Sequence, residues 1–240
     1  YNGLLQLMLF LIVACIPAYL TKRMSYVDIA WPWGLVLIGA LVLLLGDGYK
    51  PRIFLISGMY LFSGLRMGIG ALILLKKGHL DTELSRYTYQ RRRWKKAGYK
   101  NLDISLQYEI MIQCFANITF LALPAILMAQ NTAASISVIE IIGASLWAIW
   151  FVLEHVSDMQ KQQFLKKSFL EKKKKQVCNA GFWKYSRHPN YFAEWMVWNS
   201  MILSAFFSYT TFYSQDKLFV WGAVFIALLY VSYIMYTTLV

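Results

Sequence analysis

The chain of 240 residues is 58% hydrophobic and only 15% charged, with a mean hydropathy of +0.46. Soluble domains carry roughly 25% charged residues, so a solvated globule is excluded, as is a disordered chain; three scattered cysteines, Cys15, Cys114 and Cys178, exclude a disulfide scaffold and a paired-cysteine metal site. The net charge of +12 does not point to nucleic acid, because the basic residues are confined to gaps between apolar runs, as in a polytopic membrane protein facing anionic headgroups or an anionic cofactor.

A bilayer core takes about 20 apolar residues as helix. On that measure the first span is Leu4–Leu20, carrying Pro17, and the spans that follow it argue against a cleaved signal peptide. The second is Trp33–Leu45, which reaches full length only if it begins near Tyr26 and takes in Asp28. The third, Ile53–Leu75, contains Arg66; the fourth, Ile110–Ala129, is expected to kink at Pro124; the fifth is Ile136–Leu153, the sixth Tyr191–Ser208 and the seventh Leu218–Val240. An all-α bundle of seven transmembrane helices follows. The loops after spans one, three and five hold 20 of the 24 basic residues, which places the N-terminus outside and the C-terminus inside. The chain reads as a single, integral membrane domain, with an N-terminal half, 1–109, carrying a basic loop at 76–100. A second half, 110–240, carries a basic loop at 154–190. The run Lys172–Lys175 is expected to be solvated.

Ionisable groups at membrane depth cost about 2.5–3.5 kcal/mol on insertion scales, so each asks for a reason. Asp28 stands where span two enters, between Ser25 and the pair Trp31 and Trp33; it is either an interfacial helix-end residue or part of a site. Arg66 lies mid-span among Gly64, Gly68 and Gly70, suiting a polar cavity or close helix packing. Glu140 is expected to snorkel at the outer edge. Glu154, Asp158 and Lys161 share a helical face at i, i+4, i+7, for which a solvated ion-pair ladder is the plain explanation. The segment Tyr185-Ser186-Arg187-His188-Pro189-Asn190-Tyr191-Phe192 is richer. His188-Pro189 forces an extended step before a helix, Asn190 is placed to cap it, and Glu194 projects inward a turn later. Arg187 and His188 at a helix start favour an anion. The three histidines have no metal-ligand spacing, and no glycine-rich dinucleotide or phosphate loop is present.

With these residues in view, the chain resembles the steroid 5α-reductase superfamily, most closely its DUF1295 branch. The resemblance rests on Asp28-x-x-Trp31 with Gly34, Gly64-Leu65-Arg66, Arg86-Tyr87, Glu154-x-x-x-Asp158-x-Gln160-Lys161-x-x-Phe164 and the run from Gly181 to Phe192. It implies a helical bundle that binds NADPH from the cytosolic side and reduces a carbon–carbon double bond conjugated to a carbonyl in a membrane-dissolved steroid or isoprenoid. It further implies Asp158, Lys161, Arg187, His188, Asn190, Tyr191 and Glu194 as the cofactor-facing set, with Arg66 and Arg86 as phosphate or ribose partners. Asp28, protonated, would hydrogen-bond the substrate carbonyl, and Tyr60 is the second candidate donor. Two departures stand out: Val27-Asp28 replaces the Gln-Glu pair of the steroid enzymes, and Ala193 replaces a Gly before Glu194.

Two further classes stay open. One is a non-catalytic subunit of a larger membrane assembly. The other is a lipid methyltransferase using S-adenosylmethionine, which shares the Arg-His-Pro-x-Tyr signature.

Overall fold

The computed structural model describes residues 1–171, 176–213, 221–222 and 225, and among them every regular element is helical. Apart from residues 221–222 and 225, the seventh span lies outside the described residues, as does all of Lys172–Lys175. Among the described residues, five helical stretches are long and apolar enough to cross a membrane: Asn2–Thr21, Val27–Leu45, Lys50–Lys76, Leu102–Gln130 and Val138–Leu170. The protein is an integral, multi-pass membrane protein. Large apolar side chains are exposed along these stretches, for instance Leu11, Ile12, Phe54, Phe62, Ile141 and Val152, as lipid-facing residues should be.

The first stretch is α1 (Asn2–Phe10) and α2 (Ile16–Thr21), joined through a π-helical turn over Leu11–Cys15. Pro17 removes one backbone donor there, and the wider turn just before it keeps the path helical. It ends at Lys22, whose left-handed backbone (φ 58) turns the chain. Helix α3 (Val27–Leu45) starts early enough to hold Asp28 in its first turn, so the second span does reach full length. Helix α4 (Lys50–Lys76) packs on α3 through small residues: a Cβ on Gly64 would lie 2.8 Å from the carbonyl oxygen of Pro32.

After the short helix α5 (Ser85–Lys96), the next span divides into α6 (Leu102–Ile118) and α7 (Leu123–Gln130). The expected kink at Pro124 is thus a break just before it, where Leu121 N donates to the carbonyl of Ala116, 3.0 Å away. Arg52, fully buried at the start of α4, donates to the carbonyls of Asn131 and Ala133, both at 3.0 Å. This cation closes the carboxyl end of α7, where unpaired carbonyls gather.

The chain divides into two compact units, Tyr1–Ala134 and Ser135–Val240. The fourth span therefore belongs with the first three, whereas the sequence grouping put the boundary at 109/110. In the second unit α8 (Val138–Leu170) packs along α9 (Pro189–Tyr213). Its 33 residues span about 50 Å, well beyond the roughly 30 Å of a bilayer core, so the helix runs on past Leu153. Glu140 does not snorkel. It is fully buried and forms a capping box, its carboxylate accepting from Ser137 N at 2.7 Å while Glu140 N donates to Ser137 Oγ at 3.2 Å.

Candidate functional site

In the first unit, the basic segment between α4 and α6 is folded around two carboxylates. Glu83 accepts from Met24 N (2.8 Å), Ser25 N (3.2 Å) and Ser25 Oγ (2.6 Å), and Arg91 pairs with it at 3.3 Å. Ser25 Oγ in turn accepts from Leu84 N at 3.2 Å. Arg23 donates to the carbonyl of Leu80 and Arg91 to that of Lys22. The second carboxylate is Asp28, which receives the Arg86 guanidinium and the Tyr87 hydroxyl. Burial, and after it the negative charge of Asp28, push the Tyr87 phenol well above its ordinary value, so it stays a donor.

This places two expected site residues, Asp28 and Arg86, in one ion pair. Asp28 is 21% exposed and Arg86 55%. A guanidinium and a phenol both aim at the Asp28 oxygens, which accept hydrogen bonds here. Tyr60 is also committed: it is fully buried, and its hydroxyl donates to the carbonyl of Leu121 in the break between α6 and α7. That bond serves the fold and turns the phenol away from the role of substrate donor. Arg66 lies half-buried in the middle of α4.

Beside Asp28 in sequence, Tyr26 and Ile29 line an apolar groove of about 640 Å³ together with Leu9, Val13, Trp33 and Leu72. Polar groups are sparse deeper in this unit. One such cluster, missed in the sequence, joins Gln6 and Asn117: Gln6 Nε2 donates to the carbonyl of Gly34 (2.8 Å) and Asn117 Nδ2 to that of Trp31 (3.2 Å). Each amide sits alone in an apolar run, and only the fold brings them together.

In the second unit the motif segment is laid against α8. Trp183, in a 3₁₀ turn over Gly181–Lys184, donates its indole N–H to the carbonyl of Ser157 at 2.9 Å. Phe182 N donates to Gln160 Oε1 at 2.9 Å. Gly181 has φ +55, and a Cβ there would run into the Gln160 amide, so this turn needs glycine twice over. The Lys161 ammonium lies 4.6 Å from the centroid of the Trp183 ring.

Asn190 does not cap α9. The helix begins at Pro189, so Asn190 is already its second residue. Its amide reaches across to α8 instead, Nδ2 donating to Asp158 Oδ1 at 3.0 Å. On this face of α8, Asp158 accepts from Asn190, Lys161 covers Trp183, and Glu154 is buried, so the face is packed and not fully solvated. Glu154 and Glu194 each stand one turn from the Asp158–Asn190 pair, on α8 and α9 respectively. Arg187, His188 and Tyr191 are exposed, and the His188 and Tyr191 rings stack at 5.2 Å between centroids and 7° between planes. Among the described residues, Asn190 Oδ1 is a buried acceptor with no hydrogen-bond partner.

The arrangement thus offers an unfilled buried acceptor, a polar floor of Asp158 and Asn190, exposed ring faces and the cations Lys184 and Arg187. That set suits a dinucleotide: amide or hydroxyl groups for Asn190 Oδ1, phosphates for the cations, a heteroaromatic ring for the stack. No curated protein and no solved structure matches the chain. One family model, described as protein of unknown function (DUF1295), matches residues 14–237. The motifs from Asp28 to Phe192 all fall within that range, and the chain belongs to the DUF1295 family.

Proposed function

We propose that the protein is an NADPH-dependent reductase acting on a conjugated carbon–carbon double bond in a membrane lipid, a steroid or isoprenoid enone. The observation that carries this reading is the Asp158–Asn190 contact, which joins two motif segments 32 residues apart in sequence and leaves a buried acceptor without a partner among the described residues, in a segment that also carries exposed cations and ring faces. The steroid-reductase likeness of the motifs supplies the chemistry, and each basic segment is taken as cytosolic from the charge pattern expected of a seven-span chain.

In this reading Asn190 and Asp158 fix the polar edge of the dinucleotide, Lys161, Lys184 and Arg187 meet its phosphates, and His188 with Tyr191 provide a stacking surface. Glu154 and Glu194 extend the same carboxylate row one turn further along their helices. When bound, NADPH supplies a hydride for the carbon β to the substrate carbonyl, and a proton completes the α-carbon. The apolar groove flanked by Tyr26 and Ile29 is the place for the hydrocarbon body of the substrate. Asp28 orients Arg86 and Tyr87, and the remaining guanidinium N–H groups of Arg86 are donors for an oxygen that gains charge. Arg66 is assigned to the cofactor on the family likeness.

The test is direct binding. Purified full-length protein in detergent is expected to quench in tryptophan fluorescence on titration with NADPH, saturably, and Arg187→Ala and Glu194→Ala are each expected to abolish this. Saturable binding of S-adenosylmethionine in place of NADPH moves the protein to the lipid methyltransferases. Binding of neither by folded protein leaves the structural-subunit reading.

A further inference from the structure

Helix α5 (Ser85–Lys96) has two faces with different fates. Tyr87, Arg91 and Trp94, at i, i+4 and i+7, form the inner one: Tyr87 bonds Asp28, Arg91 bonds Glu83, and Trp94 is buried in a core cluster with Ala18, Leu106 and Ile110. Ala18, Leu106 and Ile110 belong to membrane-spanning stretches. The helix is therefore pinned across the ends of the spans, at headgroup level.

The outer face carries Tyr89, Arg92, Arg93 and Lys96, again at i, i+3, i+4 and i+7 and centred opposite Trp94, with Lys95 on its flank. All five side chains are exposed. The four cations make no ion pair among the described residues, and α5 contains no acidic residue. Tyr89 is 64% exposed and Tyr99, just past the helix, 56%. Tyrosines flanking a row of cations at span ends are what an interface of headgroups and acyl chains selects.

We infer that the outer face of α5 is a docking surface for anionic phospholipid headgroups, with Arg92, Arg93, Lys95 and Lys96 as the binding cations. Charge complementarity carries the choice of occupant. A zwitterionic bilayer offers these side chains no net charge, whereas the phosphodiester of an anionic lipid takes guanidinium and ammonium donors at the depth where α5 is held. The inference does not depend on any reductase activity, since none of the four cations belongs to the cofactor or substrate set.

The experiment uses the full chain in neutral detergent micelles, with energy transfer from its tryptophans to dansyl-phosphatidylglycerol or dansyl-phosphatidylcholine. The glycerol lipid is expected to saturate at about tenfold lower concentration, from the attraction of several basic residues to anionic headgroups. Raising salt from about 0.1 M to about 1 M, which shortens the screening length from ~10 Å to ~3 Å, is expected to erase the preference. The variant R92Q/R93Q/K95Q/K96Q should lose it at low salt, and Lys50→Gln, at an exposed cation elsewhere, should keep it. Equal affinity for the two lipids overturns the inference in the native protein, whatever the variant does. So does a preference that survives the fourfold neutralisation in protein of unchanged thermal midpoint. Displacement of the glycerol lipid by inorganic phosphate at matched ionic strength, or by micromolar NADPH, overturns it too, assigning the cations to a soluble phosphate.

Discussion

The carboxylates of the two units are used in opposite ways. Around Glu83 and Asp28, every acidic oxygen meets donors from the neighbouring chain: two backbone N–H groups, a serine, a tyrosine and two arginines. Around Asp158, the Asn190 amide supplies one bond while its own carbonyl oxygen has no partner among the described residues, with Arg187 and Lys184 exposed nearby in sequence. The first arrangement is a tether and the second an unfilled cradle. A buried acceptor without a partner costs about 1–3 kcal/mol, a cost that a ligand can remove. Charge types alone do not distinguish the two; what distinguishes them is whether the fold has already spent the hydrogen bonds.

The largest effect should come from the tether. Glu83→Ala strands Met24 N, Ser25 N and the Arg91 guanidinium together, and about 3 kcal/mol of stability should be lost. A drop of several degrees in the thermal midpoint in detergent is the measurement, and an unchanged midpoint would show that the 76–100 segment is not held by this carboxylate. Next comes an exchange between the two regions. Asn190→Ala should weaken NADPH binding about tenfold with little change in midpoint, since its bond to Asp158 is worth about 1 kcal/mol. Arg86→Ala should do the reverse if Arg86 serves Asp28: a loss below about 1 kcal/mol, because the pair is half exposed, and an unchanged Kd. A raised Kd in Arg86→Ala would instead return that arginine to the cofactor, as the family resemblance implies.

Why the sequence foresaw one half of this and not the other is a matter of range. Hydropathy and helix length placed the spans through Leu153, because burial of apolar side chains is summed locally along a helix. The importance of Asp28 was also legible, since an acid at a span entrance is costly without a partner. Its partners were not, because Arg86 and Tyr87 lie 58 and 59 residues away. Nothing in the local sequence marks Glu83 or Arg52, for the same reason: their acceptors and donors are set by how helices pack. Asn190 was noticed but given a local task, helix capping, which Pro189 had already made unnecessary. The spacing of Glu154, Asp158 and Lys161 already suits a helix past Leu153, but the last turns of α8, from Gln162 to Leu170, look like a loop when hydropathy is the only guide.

A smaller effect bears on the tether's pH range. Tyr87 is raised well above the ordinary phenol value by burial and by the charge of Asp28. A group whose folded value is raised stabilises the fold below its unfolded pKa, about 10 for tyrosine, and that stabilisation is lost as pH climbs toward the folded value. Native protein should therefore lose stability from about pH 10 upward more steeply than Tyr87→Phe, which lacks the ionisation. At neutral pH the variant should lose about 1 kcal/mol from the missing hydroxyl bond. Parallel stability curves for the two proteins above pH 10 would place the relevant ionisation elsewhere.

The smallest expected effect separates the two uses of charge within the cradle itself. Lys161 was read as a cofactor residue, yet its ammonium lies over the Trp183 ring, 4.6 Å from the centroid. An exposed cation–π contact is worth about 0.5–1 kcal/mol. If that contact is all it does, Lys161→Gln shifts the midpoint slightly and leaves the NADPH Kd and its salt dependence as they were. If the ammonium leaves the ring for a phosphate when the dinucleotide binds, the same variant raises Kd and flattens the salt dependence, because one screened charge pair has gone. Trp183 emission then reports the move: in the native protein NADPH should change its intensity as the cation departs, and in Lys161→Gln that part of the change should be missing. The midpoint, the Kd and the emission together place Lys161 either with the closed tethers of the first unit or with the open cradle of the second.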